Sequence, residues 1–136
     1  MEQDIRWKQR FANFSKAYNL LREVADMDCA TLSMLEKEGI VQRFEFTVEL
    51  AWKTLKDKME YDGLVLDQIS PKSVIREAFR TRYISNVESW MRMIGDRNLM
   101  SHTYDFAVFE AVIPTIQHEY IETIGELYIL LIESQI

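Results

Sequence analysis

Residues 42–60, QRFEFTVELAWKTLKDKME, decide the fold class because their apolar side chains recur at helical spacing. The intervals are three and four residues, in the order Phe44, Val48, Trp52, Leu55 and Met59. This spacing puts all five on one face of an α-helix, which we predict over about residues 32–59. Gly63 follows, and glycine readily takes the left-handed conformation that ends many helices.

Apolar residues recur at the same spacing on both sides of this helix and predict further helices. The first covers about residues 5–27. A third covers about residues 71–82, opened by a serine at the N-cap and a proline at the first helical position. Ser85 and Glu88 have the spacing of a capping box, which predicts that a fourth helix begins there.

The C-terminal segment predicts a fifth helix with six residues on its buried face: Ile113, Ile116, Tyr120, Ile124, Leu127 and Leu131. Pro114 lies inside this pattern, so the helix either kinks there or begins anew with Pro114 at its first position. No segment alternates between apolar and polar residues over a useful length. We therefore predict an all-α antiparallel up-and-down bundle of about five helices, with residues 1–136 forming one domain.

Several features of the sequence indicate a cytoplasmic protein that does not contact membranes. Cys29 is the one cysteine, which excludes an internal disulfide and fits a reducing compartment. The first ten residues are charged and lack the apolar stretch of a signal peptide. The longest apolar run, residues 127–132, is far shorter than the roughly 20 residues that span a bilayer.

The charge is unevenly distributed along the chain. The net charge of −6 argues against a general nucleic-acid binder, because attraction to phosphate drives non-specific binding. Residues 70–102 nevertheless hold six Lys or Arg against three Asp or Glu, whereas residues 105–136 hold six acids and no Lys or Arg. This contrast predicts either a focused anion site or a charge-complementary protein partner.

The basic region ends in the stretch DRNLMSHTYDF, residues 96–106, which brings together residue types suited to phosphodiester chemistry. Arg97 has a planar, permanently charged fork that can hold a phosphate through two bonds. The imidazole of a histidine, here His102, can take or give a proton. Cleavage of RNA needs both functions: a base for the ribose 2′-hydroxyl and a cation for charge developing at phosphorus.

The spacing of this motif constrains its geometry. On a straight helix of about 100° per residue, Arg97 and His102 point about 140° apart. A continuous helix would therefore not aim both side chains at one phosphate. Either the helix breaks between residues 101 and 105, or a second chain completes the site.

The motif resembles that of a known superfamily. Arg97, Asn98 and His102 are similar to the Arg–x4–6–His motif of HEPN domains, and Tyr104 extends the resemblance to the HepT toxin branch. Three blocks in order resemble the nucleotidyltransferase substrate-binding subunits: QRFEFTVELAWKTLKD from residue 42, SPKSVIREAF from residue 70, and W-x2-M-x2-DRNLMSHTYD from residue 90.

The resemblance implies a HEPN-like homodimer in which two motifs face each other. It implies a metal-independent ribonuclease without cofactors, with His102 as general acid or base, Arg97 on the phosphate of an RNA substrate, and Asn98 in support. The implied partner is a small nucleotidyltransferase of the MntA type, the antitoxin, which transfers AMP from ATP to Tyr104 and blocks cleavage.

Other interpretations of the same residues stay open. The chain is alternatively a non-catalytic, substrate-presenting subunit of a two-component nucleotidyltransferase. Arg97 could merely pair with Asp96 or a C-terminal glutamate, Asn98 could cap the helix, and Tyr104 could be half-buried. Three further arginines are candidates for contacts with RNA or a partner, or form a solvated basic face: Arg76, Arg80 and Arg92.

We predict structural roles for three charged residues of the second helix and for the other histidine. Glu45, Glu49 and Lys53 share one flank of the second helix and predict a stripe of salt bridges. His118 has no partner at ligand spacing, so we predict no metal site.

Overall fold

The computed structural model describes residues 2–135, apart from the side chain of Gln3, and this part of the chain is helical with no strand. The α-helices are α1 (Glu2–Arg22), α2 (Met34–Tyr61), α3 (Pro71–Arg80), α4 (Val87–Ser101), α5 (Phe106–Thr115) and α6 (Ile121–Glu133). A 3₁₀ turn, Cys29–Thr31, precedes α2. A π-helical turn, Ile116–Tyr120, joins α5 to α6 without leaving helical backbone angles, so five rods are present. The predicted all-α fold is confirmed.

Local sequence signals explain most helix ends. Ser33 and Glu36 form a capping box at the start of α2, with bonds of 3.1 and 2.9 Å. Ser70 accepts a bond from the Ser73 amide, so the predicted N-cap of α3 is confirmed. Gly63 has φ +97° directly after the cap of α2, as its position predicted.

Two predicted boundaries are wrong. The first helix ends at Arg22 instead of reaching residue 27, because the amides of Val24 and Ala25 bond carbonyls three residues back and form turns. The cap of α4 is Asn86 and not Ser85, since the Asn86 side chain accepts the Ser89 amide at 3.1 Å. A capping side chain accepts a backbone amide two or three residues later, and Asn86 does this for Ser89.

Pro114 lies within α5, which begins at Phe106, so the alternative of a new helix start at Pro114 is wrong. Proline lacks the amide hydrogen that the preceding turn would bond. The helix continues through the π turn, where the Ile121 amide bonds the Ile116 carbonyl. All six residues of the predicted apolar face are buried.

The bundle is organised around α2, which contacts every other α-helix. The helices α1 and α2 run antiparallel: Arg10 bonds Asp57 at 3.1 Å at one end, and Arg43 bonds the Leu20 carbonyl at 2.9 Å at the other. Aromatic side chains fill the core, and the ring of Phe44 stacks on that of Tyr120 at 5.5 Å. No helix in residues 2–135 is long and apolar enough to cross a membrane.

Candidate functional site

The motif of residues 97–104 straddles the end of α4. The helix ends at Ser101, and the amide of the capping residue, His102, bonds the Leu99 carbonyl at 3.1 Å. A short turn follows, and α5 begins after Asp105, whose side chain accepts the Ala107 amide at 3.0 Å. The predicted break between residues 101 and 105 is confirmed. The second alternative, completion by another chain, stays a prediction.

Arg97 lies one turn before the end of α4 and is held on two sides. Its Nη2 lies 3.2 Å from Oε2 of Glu49 on α2, and its Nη1 donates to Oδ1 of Asn98 at 3.4 Å. The alternative that Arg97 pairs with Asp96 or a C-terminal glutamate is wrong, because its ion-pair partner is Glu49. Asp96 instead accepts a 2.5 Å bond from the hydroxyl of Tyr120. Asn98 contacts the guanidinium and does not cap the helix.

His102 and Tyr104 lie beyond the helix end, where both side chains are exposed. Tyr104 is 100% exposed, so the alternative of a half-buried packing tyrosine is wrong. Within residues 2–135, no hydrogen bond or ion pair joins Arg97, His102 and Tyr104 to one another. One chain therefore presents the three side chains at the same end of the bundle without coupling them.

A carboxylate on α2 connects Arg97 to the rest of the bundle. Glu49 accepts from the indole of Trp52 at 3.1 Å and lies 3.1 Å from the ammonium of Lys53, in addition to Arg97. Burial raises the pKa of Glu49, but the bonds from Trp52 and Lys53 and the charge of Arg97 outweigh it and lower the pKa overall. Glu49 is therefore ionised at neutral pH.

A second carboxylate lies one turn earlier on α2. Glu45 accepts from the hydroxyl of Ser101 at 3.4 Å, and that hydroxyl also bonds the Arg97 carbonyl at 3.1 Å. Burial raises the pKa of Glu45, and the charge of Arg97 only partly opposes this. Of the predicted salt-bridge stripe on α2, the Glu49–Lys53 pair is present, whereas Glu45 bonds Ser101. The sequence did not reveal that Glu49 also pairs with Arg97. The four-residue spacing of Glu45 and Glu49 matches that of Arg97 and Ser101. This match was the signal in the sequence for the contact between α2 and α4.

A polar seam between α4 and the π turn fixes the other side of α4. Ser89 bonds both Thr123 and Glu119 at 2.8 Å, and Arg92 bonds Glu119 at 2.5 Å. Further along, Tyr120 bonds Asp96, the residue directly before Arg97. The sequence pattern predicted that Tyr120 is buried but gave no indication of its bond to Asp96.

The three further arginines do not gather at the motif. Arg76 and Arg80 lie on α3, where Arg80 pairs with Glu77 one turn earlier. Arg92 is paired with Glu119, and it lies five residues before Arg97, hence about 140° around α4. Their contact with RNA or a partner stays a prediction. Within residues 2–135, no group of three or more His, Cys, Asp or Glu is arranged to hold a metal ion.

The chain is thus an all-helical bundle protein with an Arg–x4–His–x–Tyr motif at the end of its fourth helix. Residues 9–132 match the family described as nucleotidyltransferase substrate binding protein like, and the chain belongs to that family. The expected family resemblance is thereby confirmed.

Relatives and solved structures agree with this assignment. The chain is 37% identical over 70 residues to a Haemophilus influenzae protein named probable ribonuclease HepT, a match that covers 49% of this chain and 48% of the relative, so about half of its length. A crystal structure of a Thermus thermophilus protein matches with TM-score 0.73 and 30% identity over 84% of this chain and 94% of that one. HI0074 from Haemophilus influenzae, described as having the fold of a substrate binding domain of a nucleotidyltransferase, matches with TM-score 0.65 and 25% identity over 95% and 98%.

Proposed function

We propose that this chain is a metal-independent endoribonuclease, the toxin half of a toxin–antitoxin pair. The observation that carries the proposal is the geometry at the end of α4: Arg97 is held by Glu49 and Asn98, while His102 projects exposed from the turn that follows. The similarity to a protein named probable ribonuclease HepT supports the same activity.

In this mechanism His102 and Arg97 divide the work. The neutral imidazole of His102 removes the proton from a ribose 2′-hydroxyl, and the oxygen attacks the adjacent phosphorus as the bond to the 5′-oxygen breaks. The imidazolium that results then gives its proton to the departing 5′-oxygen, which leaves a 2′,3′-cyclic phosphate. The guanidinium of Arg97 bonds the phosphate oxygens and stabilises the charge that builds on them in the transition state.

The active form in this proposal is a homodimer with the two motifs facing each other. Arg97 and His102 are not coupled within one chain, so a second copy would supply the missing half of each site. Two large apolar side chains near the motif support an interface there. Leu99, inside the motif, is 50% exposed, and Phe46, next to Glu45 on α2, is 60% exposed.

Regulation in this proposal acts through Tyr104. A partner nucleotidyltransferase would transfer AMP from ATP to the phenolic oxygen and release pyrophosphate. The full exposure of Tyr104 suits access by a second enzyme. The added phosphate would repel RNA and block the phosphate site, since a bulky anion would then lie beside Arg97 and His102.

The proposal can be tested by measuring cleavage of a defined RNA in the presence of EDTA. The purified proteins to compare are wild type, His102→Ala and Arg97→Ala. Each substitution should reduce the rate by about 10²- to 10⁴-fold, the usual contribution of a general acid–base group or a charge-stabilising donor. His118→Ala is the matched control, because His118 is the other exposed histidine and lies outside the sequence motif. Wild-type protein that neither cleaves RNA nor slows growth would refute the proposal.

A second candidate is a non-catalytic subunit that presents substrate to a nucleotidyltransferase. The family description and the solved structure of HI0074 favour it. In that case His102→Ala would leave nucleotide transfer by the partner unchanged, while Arg97→Ala would weaken anion binding. Parallel measurement of RNA cleavage and of nucleotide transfer separates the two candidates.

A further inference from the structure

The Glu49 carboxylate has three polar partners, whereas a simple surface ion pair has one. Its carboxylate meets the Trp52 indole, the Lys53 ammonium and the Arg97 guanidinium, each within 3.2 Å. We infer that Glu49 is a positioning residue that orients Arg97 for phosphate, an inference that rests on the proposed ribonuclease function.

The contacts leave the guanidinium little freedom. Glu49 holds one terminal nitrogen of Arg97, Asn98 holds the other, and Nε is buried without a hydrogen-bond partner. Glu49 is itself anchored, because Trp52 is buried and Lys53 lies one helical turn further along the same helix. Because the carboxylate is held on α2, it restricts the positions that the Arg97 guanidinium can take.

The same ion pair has an electrostatic cost for substrate binding. A carboxylate on the guanidinium competes with phosphate for the same positive charge, and Lys53 offsets only part of this competition. Glu49 therefore weakens binding of the ground state and improves orientation in the transition state. Removing its charge should move KM and kcat in the same direction, which a merely structural salt bridge would not do.

Glu49→Gln is the decisive variant, because glutamine keeps the shape and an acceptor oxygen for Trp52 while removing the charge. We expect KM for RNA to fall about two- to fivefold, the range of a partly exposed ion pair. We expect kcat to fall about tenfold, because small displacements of a catalytic group are costly. Glu23→Gln is the matched control: it breaks an exposed ion pair with Arg43, of 3.5 Å, far from the motif in sequence.

A second measurement on the full chain does not depend on activity. Guanidinium NMR reports rotation about the Cζ–Nε bond of Arg97, which should be slow in the wild type and at least about threefold faster in Glu49→Gln. Affinity for a 2′-deoxy oligonucleotide, which cannot be cleaved, should rise by the same two- to fivefold as KM falls.

The outcomes separate the two proposals. Equal Arg97 rotation in wild type and Glu49→Gln, or an unchanged kcat with intact folding, would overturn the role of Glu49. Wild-type protein without RNA cleavage would overturn the ribonuclease proposal alone, and the rotation rate and oligonucleotide affinity would still decide whether Glu49 orients Arg97 toward an anion.

Discussion

Gly125 on α6 faces the ring of Tyr18 on α1, and replacing it by alanine gives a prediction whose sign the structure determines. An alanine Cβ at this position would lie 2.6 Å from the Tyr18 hydroxyl oxygen, well inside van der Waals contact. The next atom of the ring, Cζ, would lie at 3.4 Å, an ordinary contact. The clash is therefore with one atom, the hydroxyl oxygen.

Two opposing effects set the magnitude of Gly125→Ala. Alanine favours a helix over glycine by about 1 kcal/mol, which would stabilise the protein. Overpacking of a well-filled core costs about 1–3 kcal/mol. Tyr18 cannot swing away freely, because its ring is buried and lies 4.7 Å from the ring of Tyr128. We expect a net loss of about 1 kcal/mol in the free energy of unfolding.

The background Tyr18→Phe removes the clashing oxygen and leaves the ring in place. In that background Gly125→Ala should stabilise the protein by about 0.5–1 kcal/mol, because only the helix preference remains. Urea unfolding of the four proteins, followed by circular dichroism, completes a double-mutant cycle. The same sign for Gly125→Ala in both backgrounds would show that the Tyr18 hydroxyl does not limit the space at residue 125.

Further predictions concern the polar seam and the motif. Tyr120→Phe should lower the free energy of unfolding by about 1.5–3 kcal/mol at pH 7, because the hydroxyl donates to the Asp96 carboxylate. Burial, then Asp96, raises the pKa of Tyr120 above its ordinary value of 10.0, so wild type loses stability as the pH rises past that value. Above pH 10 the free energy of unfolding of Tyr120→Phe should fall by up to about 1.4 kcal/mol less per pH unit than that of wild type. Thermal unfolding between pH 8 and 11 measures this, and parallel stability curves for the two proteins would contradict it. The bond from Arg92 lowers the pKa of Glu119, so this pair stabilises the fold at neutral pH and is lost as the pH falls below 4.5. Arg92→Ala should flatten the acid limb of the stability curve, and an unchanged limb would exclude the pair as its source. Co-expressed with a partner nucleotidyltransferase, the chain should gain AMP by mass spectrometry, whereas Tyr104→Phe should not; equal gain in both would place the modification elsewhere.

Much of the fold followed from local patterns. The spacing of apolar residues predicted six positions of the C-terminal helix, from Ile113 to Leu131, and all six are buried. The Ser-Pro pair at residues 70–71 and Gly63 marked helix ends correctly, since capping depends on residues a few positions apart. The spacing of Ser85 and Glu88 pointed to the wrong cap for α4, because the neighbouring Asn86 caps it instead.

The candidate site divides in the same way. The motif spacing showed that Arg97 and His102 could not share one straight helix, and the helix does end at Ser101. The sequence did not indicate that Glu49, 48 positions before Arg97, would be its ion-pair partner, or that Tyr104 would be fully exposed.

The helical bundle and the position of the motif are encoded locally, because apolar periodicity and capping act through neighbouring residues on one backbone. The carboxylate that faces the guanidinium of Arg97 and the hydroxyl that anchors Asp96 could be identified only from the packed bundle. Those contacts depend on how α2 and the π turn pack against α4, and the rotation and register of packed helices are set by the whole core.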